Sequence, residues 1–216
     1  MNVFSTVVSV AAVIAAAAAA PNTTLVSFDG APGTTYKFTV MNDPVMGGLS
    51  SSNFTQDTSA GKAVFQGTVR IVPSLQAPGF CQALSSLLAK YADLSAYTHL
   101  GLVVRTSTPF NGFKVSFAAD TLNTLFASFK ADFTLKPSTD WQLVTIPFTS
   151  FSNAWSPATG EPLRTCAEDP TVCVTPKNLR DIAQVGLWLE GGPVCVSCWA
   201  DVCLRACARA RRVACV

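Results

Sequence analysis

The sequence predicts one all-β domain, a jelly-roll β-sandwich of two facing sheets with few short helical turns. Three observations favour this fold class. Apolar and polar residues alternate with a period of two in several short runs, and glycine and proline corners separate these runs. Hydrophobic residues make up 49% of the 216-residue chain and charged residues only 13%. Since a typical globular protein has roughly a quarter charged residues, this composition supplies a large buried core.

The clearest alternation lies at Leu125–Phe133, where five apolar residues share one face and Lys130 and Asp132 lie on the other. The run Phe113–Phe117 repeats the pattern. Such faces are typical of half-buried antiparallel strands. We therefore expect both runs to direct their phenylalanines into the sandwich.

Two other runs, Leu100–Val104 and Val185–Leu189, are almost continuously apolar and predict strands that are covered on both sides or lie at the middle of a sandwich. Residues Asn178–Ala183, opened by Pro176, predict one short helical turn. The turn signals between the runs are Asp29-Gly30, Pro32-Gly33, Pro78-Gly79, Asn111-Gly112, Pro137-Ser138 and Pro157 to Gly160.

The N-terminal segment 1–20 is predicted to be a signal peptide. Val7–Ala20 is an apolar run that ends in alanines with several A-x-A cleavage choices. It is shorter than the roughly 20 apolar residues that a membrane span needs. The first arginine is Arg70, whereas a mitochondrial presequence is rich in arginine. We expect the secretory pathway or the extracellular space, with the mitochondrion as the alternative, and a mature domain at 21–192.

Two further features suit an oxidising, secretory compartment. The chain has 8 cysteines, an even number. Asn22-Thr23-Thr24 and Asn53-Phe54-Thr55 match the glycosylation acceptor pattern. Asn22 and Asn53 are therefore glycosylation candidates.

The segment 193–216 is rich in cysteine and arginine, and the sequence pattern assigns it no structure. Its four arginines after residue 204 account for the formal charge of +2, because removing them leaves 11 bases (15 less 4) against 13 acids. The domain itself is thus slightly acidic and has no basic stripe for nucleic-acid phosphates. The segment is either a solvated end or a small electrostatic anchor.

Cys166 and Cys173 flank an acidic loop, and their short separation predicts a disulfide that pins it. Cys195 and Cys198 have the C-x2-C spacing that can start a zinc site, but a structural zinc needs four ligands, usually from two close pairs. Disulfides or free thiols are favoured over zinc, and no metal site is predicted.

A catalytic site is not predicted either. His99 is the only histidine and stands in a strand-like run, which favours a strand-end side chain over a general base. No nucleophile elbow, phosphate-binding loop or dinucleotide fingerprint is present in the sequence. We expect a protein that is not an enzyme and that needs no cofactor.

The most unusual stretch is the sequence NDPVMGGLS at Asn42–Ser50. Its glycine pair permits positive φ or a close backbone approach, and its Asn-Asp pair forms turns. One interpretation is a pinned hairpin or bulge with the Val-Met pair in the core. The other is a rim that hydrogen-bonds a protein partner or a sugar hydroxyl. The candidate partner-binding residues here are Asn42, Asp43, Met46, Gly47, Gly48 and Ser50.

Trp155 is the remaining binding candidate. It stands in a loop between Asn153 and Pro157, where few sequence neighbours can bury it. It is either an exposed contact or a loop anchor.

The stretch at Asn42–Ser50 closely resembles the N-D-x-V-M-G-G-x-S signature of the complex I intermediate-associated protein 30 family. Phe65-Gln66-Gly67, Pro78-Gly79-Phe80, Asp93 to Tyr97, Trp141 to Phe151 and Ile182 to Leu187 resemble further family motifs in the same order. The similarity covers residues 25 to 190. It implies a galactose-binding-like jelly roll, a fold shared with carbohydrate-binding modules, and a final apolar strand after Gly192.

The resemblance also implies a function. The family is named for assisting the assembly of respiratory complex I, so we expect a non-catalytic protein-binding or chaperone-like assembly domain with a protein partner or client. The alternative is a secreted carbohydrate-binding module. Neither nucleic-acid binding nor stable membrane insertion is expected.

Overall fold

The computed structural model describes residues 22–43, 47–87, 89–119, 128–191 and 195–207, the last range by its backbone only. The predicted signal peptide, Met46 and the final residues 208–216 therefore lie outside the described residues. Among the described helices, none is long and apolar enough to cross a membrane.

The chain folds into two antiparallel sheets that face each other. In chain order the strands are β1 (Thr23–Val26), β2 (Phe38–Asn42), β3 (Ser51–Asp57), β4 (Lys62–Val69), β5 (Phe80–Ser85), β6 (His99–Arg105), β7 (Phe113–Ala119), β8 (Phe129–Phe133), β9 (Gln142–Pro147), β10 (Ile182–Glu190) and β11 (Cys195–Cys207). The back sheet has the order β3-β4-β11-β6-β9, with β1 also paired to β11, and the front sheet has the order β2-β5-β10-β7-β8. The predicted all-β sandwich is confirmed.

The core lies between the sheets and is built by the predicted alternation. Phe113, Val115 and Phe117 on β7 are buried against the back sheet's Leu102 and Val104. Burying one such side chain stabilises the fold by roughly 1.5–3 kcal/mol. On β8 the alternation holds from Phe129 onward, whereas residues 125–127 of the predicted run lie outside the described residues.

The two continuous apolar runs occupy inner strands, as predicted. β6 lies between β11 and β9, and β10 lies between β5 and β7. Most residues of both strands are buried, which explains why the alternation is weak there.

β11 lies within the segment 193–216, to which the local sequence pattern assigned no structure, whereas the family resemblance implied a final strand after Gly192. Its backbone pairs with both β4 and β6, so that Val202 is opposite Ala63 on one side and Val104 on the other. Backbone pairing on both sides stabilises this strand. Its arginines and cysteines interrupt the alternation of apolar and polar residues, so the sequence pattern did not identify it.

The helical turn is shorter and earlier than predicted. Helix α1 spans Pro176–Arg180 and begins with a capping box, in which Thr175 and Asn178 exchange side-chain and backbone hydrogen bonds. β10 starts at Ile182, so the predicted end at Ala183 is two residues inside the strand. Two short 3₁₀ helices lie at Phe148–Ser150 and Pro170–Val172.

Candidate functional site

The signature turn, which we define as residues 42–50, is organised around the carboxylate of Asp43. This side chain is fully buried. It accepts hydrogen bonds from Ser50 N at 2.8 Å, from Ser50 Oγ at 2.5 Å and from Phe80 N at 3.1 Å. The carboxylate therefore joins the end of β2 to the first residue of β5.

Two glycines let the backbone approach this carboxylate. A Cβ on Gly48 would lie 2.2 Å from Asp43 Cγ, and a Cβ on Gly79 would lie 1.9 Å from the carbonyl oxygen of Arg70. Gly47 has φ of +78°, a conformation that residues with side chains rarely adopt. The glycines of the motif thus serve close packing and a left-handed turn.

Asn42 and Ser50 also direct their side chains into the protein. The Asn42 amide lies 2.7 Å from Ser52 Oγ, and its nitrogen is best placed to donate to that hydroxyl. Ser50 is buried and its Oγ accepts from Arg70 N at 3.0 Å. This geometry favours a pinned turn for the described part of the motif, and a partner-binding role for its residues stays a prediction.

A second region, the front-face cleft, lies on the face of the front sheet that points away from the core. It has a volume of about 410 Å³. Strands supply its floor, and two loops, Val72–Pro78 and Trp155–Pro157, form its walls. The floor residues are Phe80 and Gln82 of β5, Lys130 of β8, and Trp188 and Glu190 of β10, and the more exposed Met41 of β2 lies at the rim.

The period of two brings these distant residues together. On β5, Gln82 faces the cleft while Cys81 faces the core, and on β10, Trp188 faces the cleft while Leu189 faces the core. Register places Trp188 directly opposite Gln82. The cleft is therefore a product of strand order and not of any contiguous motif.

Lys130 reaches the cleft floor from β8, the last strand in the front sheet order. Its Nζ donates to Glu190 Oε2 at 2.7 Å and lies 4.6 Å from the ring centre of Trp155 and 4.5 Å from that of Trp188. Burial lowers the pKa of Lys130, and the Glu190 carboxylate opposes that effect. The ammonium is thus enclosed by two aromatic rings and one carboxylate.

A second ion pair extends this arrangement toward the edge of the sheet. Lys114 on β7 donates to Asp132 on β8 and lies 4.9 Å from the ring centre of Trp155. Lys114 is buried, whereas Asp132 is half exposed. Lys130 and Glu190 in the floor are thus paired with each other, and Lys114 and Asp132 form a second pair beside Trp155.

Trp155 is both a loop anchor and a wall of the cleft. Its Nε1 donates to the carbonyl oxygen of Ser152 at 2.8 Å, and Ser152 Oγ donates to Arg164 O at 2.6 Å. Cys166 and Cys173 form the predicted disulfide. An antiparallel β-bridge pairs the backbone of Cys173 with that of Ser152. The sequence identified Trp155 but left its role open, and the structure places its half-buried ring beside the cleft.

The other predicted residues lie apart from the cleft. His99 begins β6, with Nδ1 2.8 Å from Thr98 Oγ1. Asn22 and Asn53 are exposed, and their glycosylation stays a prediction. Within the described ranges, no three His, Cys, Asp or Glu side chains are grouped closely enough to hold a metal ion.

Most of the cleft residues were not predicted from the sequence as candidate site residues. Phe80 stood in a turn motif, Trp188 in a continuous apolar run, and Lys130 on a strand face expected to be solvated. A usable signal was present at Trp188, because a tryptophan on the non-core face of an inner strand is unusual. The signal is weak without the strand order.

The fold is similar to those of solved carbohydrate-binding modules. A family 11 carbohydrate-binding module of a cellulosomal cellulase from Clostridium thermocellum matches with a TM-score of 0.56 and 14% identity, over 88% of this chain and 95% of that chain. A family 11 module from the same organism, in complex with a β-1,3-1,4-mixed-linked tetrasaccharide, matches with a TM-score of 0.55 and 14% identity, over 87% and 95% of the two chains.

These likenesses confirm the predicted galactose-binding-like sandwich and concern the fold alone. A comparison with curated proteins finds no match. The sequence of residues 26–191, however, matches the model of a family described as Complex I intermediate-associated protein 30 (CIA30). This range contains both the signature turn and the front-face cleft, and the chain belongs to that family.

Proposed function

We propose that this protein is a non-catalytic assembly or chaperone-like domain that binds a protein partner in the front-face cleft. The observation that carries the proposal is the apolar rim around a floor of balanced charge. Two apolar side chains that line the cleft are exposed, Met41 by 38% and Leu75 by 55%. Exposed apolar surface beside buried aromatic residues is typical of protein interaction sites.

Family membership supports a protein partner, because the family is described by its association with a complex I intermediate. The ionisable groups of the cleft support a non-catalytic role. Lys130 and Glu190 are engaged with each other, and Lys114 is engaged with Asp132. A general acid or base exchanges a proton with a substrate within hydrogen-bond reach, whereas the ammonium groups of Lys130 and Lys114 are held in ion pairs.

The experiment places a photocrosslinking amino acid at Leu75 on the cleft rim. We expect a crosslink to one protein, identified by mass spectrometry, that is lost when Trp155→Ala is added. The matched control is the same amino acid at Leu143 of the back sheet, which is 39% exposed. Equal crosslinking at both positions, or a crosslink that survives Trp155→Ala, contradicts the proposal.

Carbohydrate binding is the second candidate function. Trp155 and Trp188 line a cleft that also holds the polar side chains of Gln82 and Glu190, and aromatic and polar groups together suit a sugar. Binding on a glycan array that disappears with Trp155→Ala supports this candidate. A blank array removes it.

For location we propose the secretory route, supported by the apolar N-terminal run, the exposed Asn53 acceptor and the disulfide of Cys166 and Cys173. The family's association with complex I favours the mitochondrion as the alternative. A C-terminally tagged chain recovered outside the cell, with its N-terminus near Pro21, supports secretion. Recovery in mitochondria overturns it.

A further inference from the structure

We propose that the occupant of the front-face cleft is an extended, uncharged segment of a protein chain. The segment pairs with the edge of β2, directs hydrogen-bond donors at Gln82 and Glu190, and places apolar side chains on the rim. This inference rests on the proposed protein-binding function and specifies the chemistry of its partner.

Two buried acceptors in the cleft floor have no donor among the residues that the structure describes. Gln82 is 5% exposed, and its Nε2 contacts Met41 Sδ at 3.2 Å, while its Oε1 accepts no hydrogen bond from the described residues. Glu190 is 9% exposed and uses Oε2 for Lys130, while the same residues offer its Oε1 no donor. Buried polar atoms are nearly always paired with protein, water or ligand. The occupant must therefore carry N–H or O–H groups.

The floor has no net charge to offer. Lys130 is neutralised by Glu190, and Lys114 by Asp132. A charged group that entered the cleft would lose its hydration and gain no unpaired counter-charge, which is costly. The donors that reach Gln82 and Glu190 are therefore neutral, such as backbone N–H groups.

The aromatic surface favours side chains over sugar rings. Phe80 from β5 and Lys130 from β8 approach Trp188 from opposite sides of β10, at 5.7 Å and 4.5 Å from its ring centre. These two groups cover part of that ring, which reduces the area left for stacking. The rim is aliphatic at Met41 and Leu75, which suits apolar side chains.

The edge of β2 beside the cleft is open to a further strand. The hydrogen bond from Ser86 N to Lys37 O at 3.0 Å fixes the bonded pairs of the β2–β5 ladder. Since these pairs alternate in an antiparallel ladder, the N–H and C=O of Val40 point away from β5. Val40 is 41% exposed, and within the described ranges β2 pairs only with β5. An added strand gains backbone hydrogen bonds there and runs past Met41.

The test pans a phage-displayed library of random linear peptides against the full chain. We expect the enriched peptides to lack charged residues and to carry apolar residues at alternate positions. A selected synthetic peptide should bind Gln82→Leu about ten-fold more weakly, because one buried hydrogen bond is lost. Its affinity for the back-sheet control Leu143→Ala should be unchanged.

A second pair of variants tests the strand addition without touching the floor. Val40→Pro removes the outward N–H but none of the bonds to β5, so it should abolish peptide binding and leave the cooperative unfolding transition in place. Val40→Ala, the matched control, should bind normally. Equal affinities for both variants overturn the edge pairing.

The outcomes also separate this inference from the proposed function. Enriched peptides of one charge sign, together with the specific crosslink at Leu75, overturn the uncharged segment and leave protein binding intact. No peptide enrichment and no crosslink, with a cleft-dependent signal on a glycan array, overturn both.

Discussion

The signature turn and the front-face cleft are neighbours on β5 and differ in almost every other respect. The turn is contiguous in sequence, and its carboxylate is satisfied by hydrogen bonds from Ser50 and Phe80. The cleft is assembled from four strands and two loops, and within the described residues the acceptors Gln82 Oε1 and Glu190 Oε1 have no hydrogen-bond donor.

The difference teaches that a recognisable motif need not be a binding site. Asp43 is fully buried and its hydrogen bonds hold two segments together, so its substitution acts on stability. Gln82 and Trp188 form part of an open surface, so their substitution acts on binding. Experiments that separate stability from binding can break or sharpen this contrast.

The largest effect is expected for Asp43→Ala. The change leaves the buried N–H groups of Ser50 and Phe80 without an acceptor, and we expect a loss of about 4 kcal/mol of unfolding free energy. Urea unfolding followed by tryptophan fluorescence measures it. Asp140→Ala, in an exposed turn, is the control and should change stability by less than about 0.5 kcal/mol.

A different result for Asp43 would reverse the comparison. If Asp43→Ala is as stable as the parent chain and yet loses the Leu75 crosslink, the signature turn is itself the partner-binding surface.

The next effect concerns the ion pair in the cleft floor. Lys130→Met leaves the Glu190 carboxylate buried and unpaired, which should cost about 3 kcal/mol, whereas the double variant with Glu190→Gln should recover about 2 kcal/mol. Urea unfolding of both single variants and the double variant gives the coupling energy.

The matched control is the ion pair of Arg164 and Asp169. Arg164 Nη1 lies 2.5 Å from Asp169 Oδ2, but the two side chains are 58% and 20% exposed. Its coupling in Arg164→Met and Asp169→Asn should stay below about 1 kcal/mol. Equal coupling in the two cycles would mean that the cleft floor is solvated like an ordinary surface, and the need for an uncharged occupant would disappear.

Much of the fold could be predicted from local pattern. Alternation at Phe113–Phe117 identified which faces of β7 enter the core, and turn residues separated the strands. β11 was not predicted from the local pattern, because its pairing on two sides is a tertiary property and its cysteines and arginines interrupt the apolar pattern.

The two candidate regions were predictable to different degrees for the same reason. The motif at Asn42–Ser50 depends on residues close in sequence, so its turn could be predicted from the residue types. Only the choice between a structural role and a binding role stayed open. The cleft depends on contacts between Gln82, Lys130 and Trp188, which are set by strand order and register. Trp155 was identified from the sequence because a tryptophan in a loop stands out without knowledge of its tertiary contacts.

The smallest effect concerns Cys81, which lies between the two regions on β5 and points into the core. Burial raises its pKa to about 11, and the nearby Asp43 carboxylate acts in the same direction. Because this value exceeds the ordinary 9.0, the stability linked to Cys81 is present below pH 9 and falls as pH rises toward 11. At pH 8 the thiol is protonated and enclosed, so iodoacetamide should reach it only when the structure opens.

Alkylation of the Cys81 peptide at pH 8, followed by mass spectrometry, therefore reports the opening of the signature turn. Asp43→Asn weakens the bonds to Ser50 and Phe80 and should speed alkylation about ten-fold, which corresponds to about 1.4 kcal/mol of opening free energy. Trp155→Ala, on the cleft side of the same sheet, should leave the rate within about two-fold. Equal acceleration by the two variants would show that turn and cleft open as one cooperative unit, because β5 would then transmit a disturbance from either face to its core.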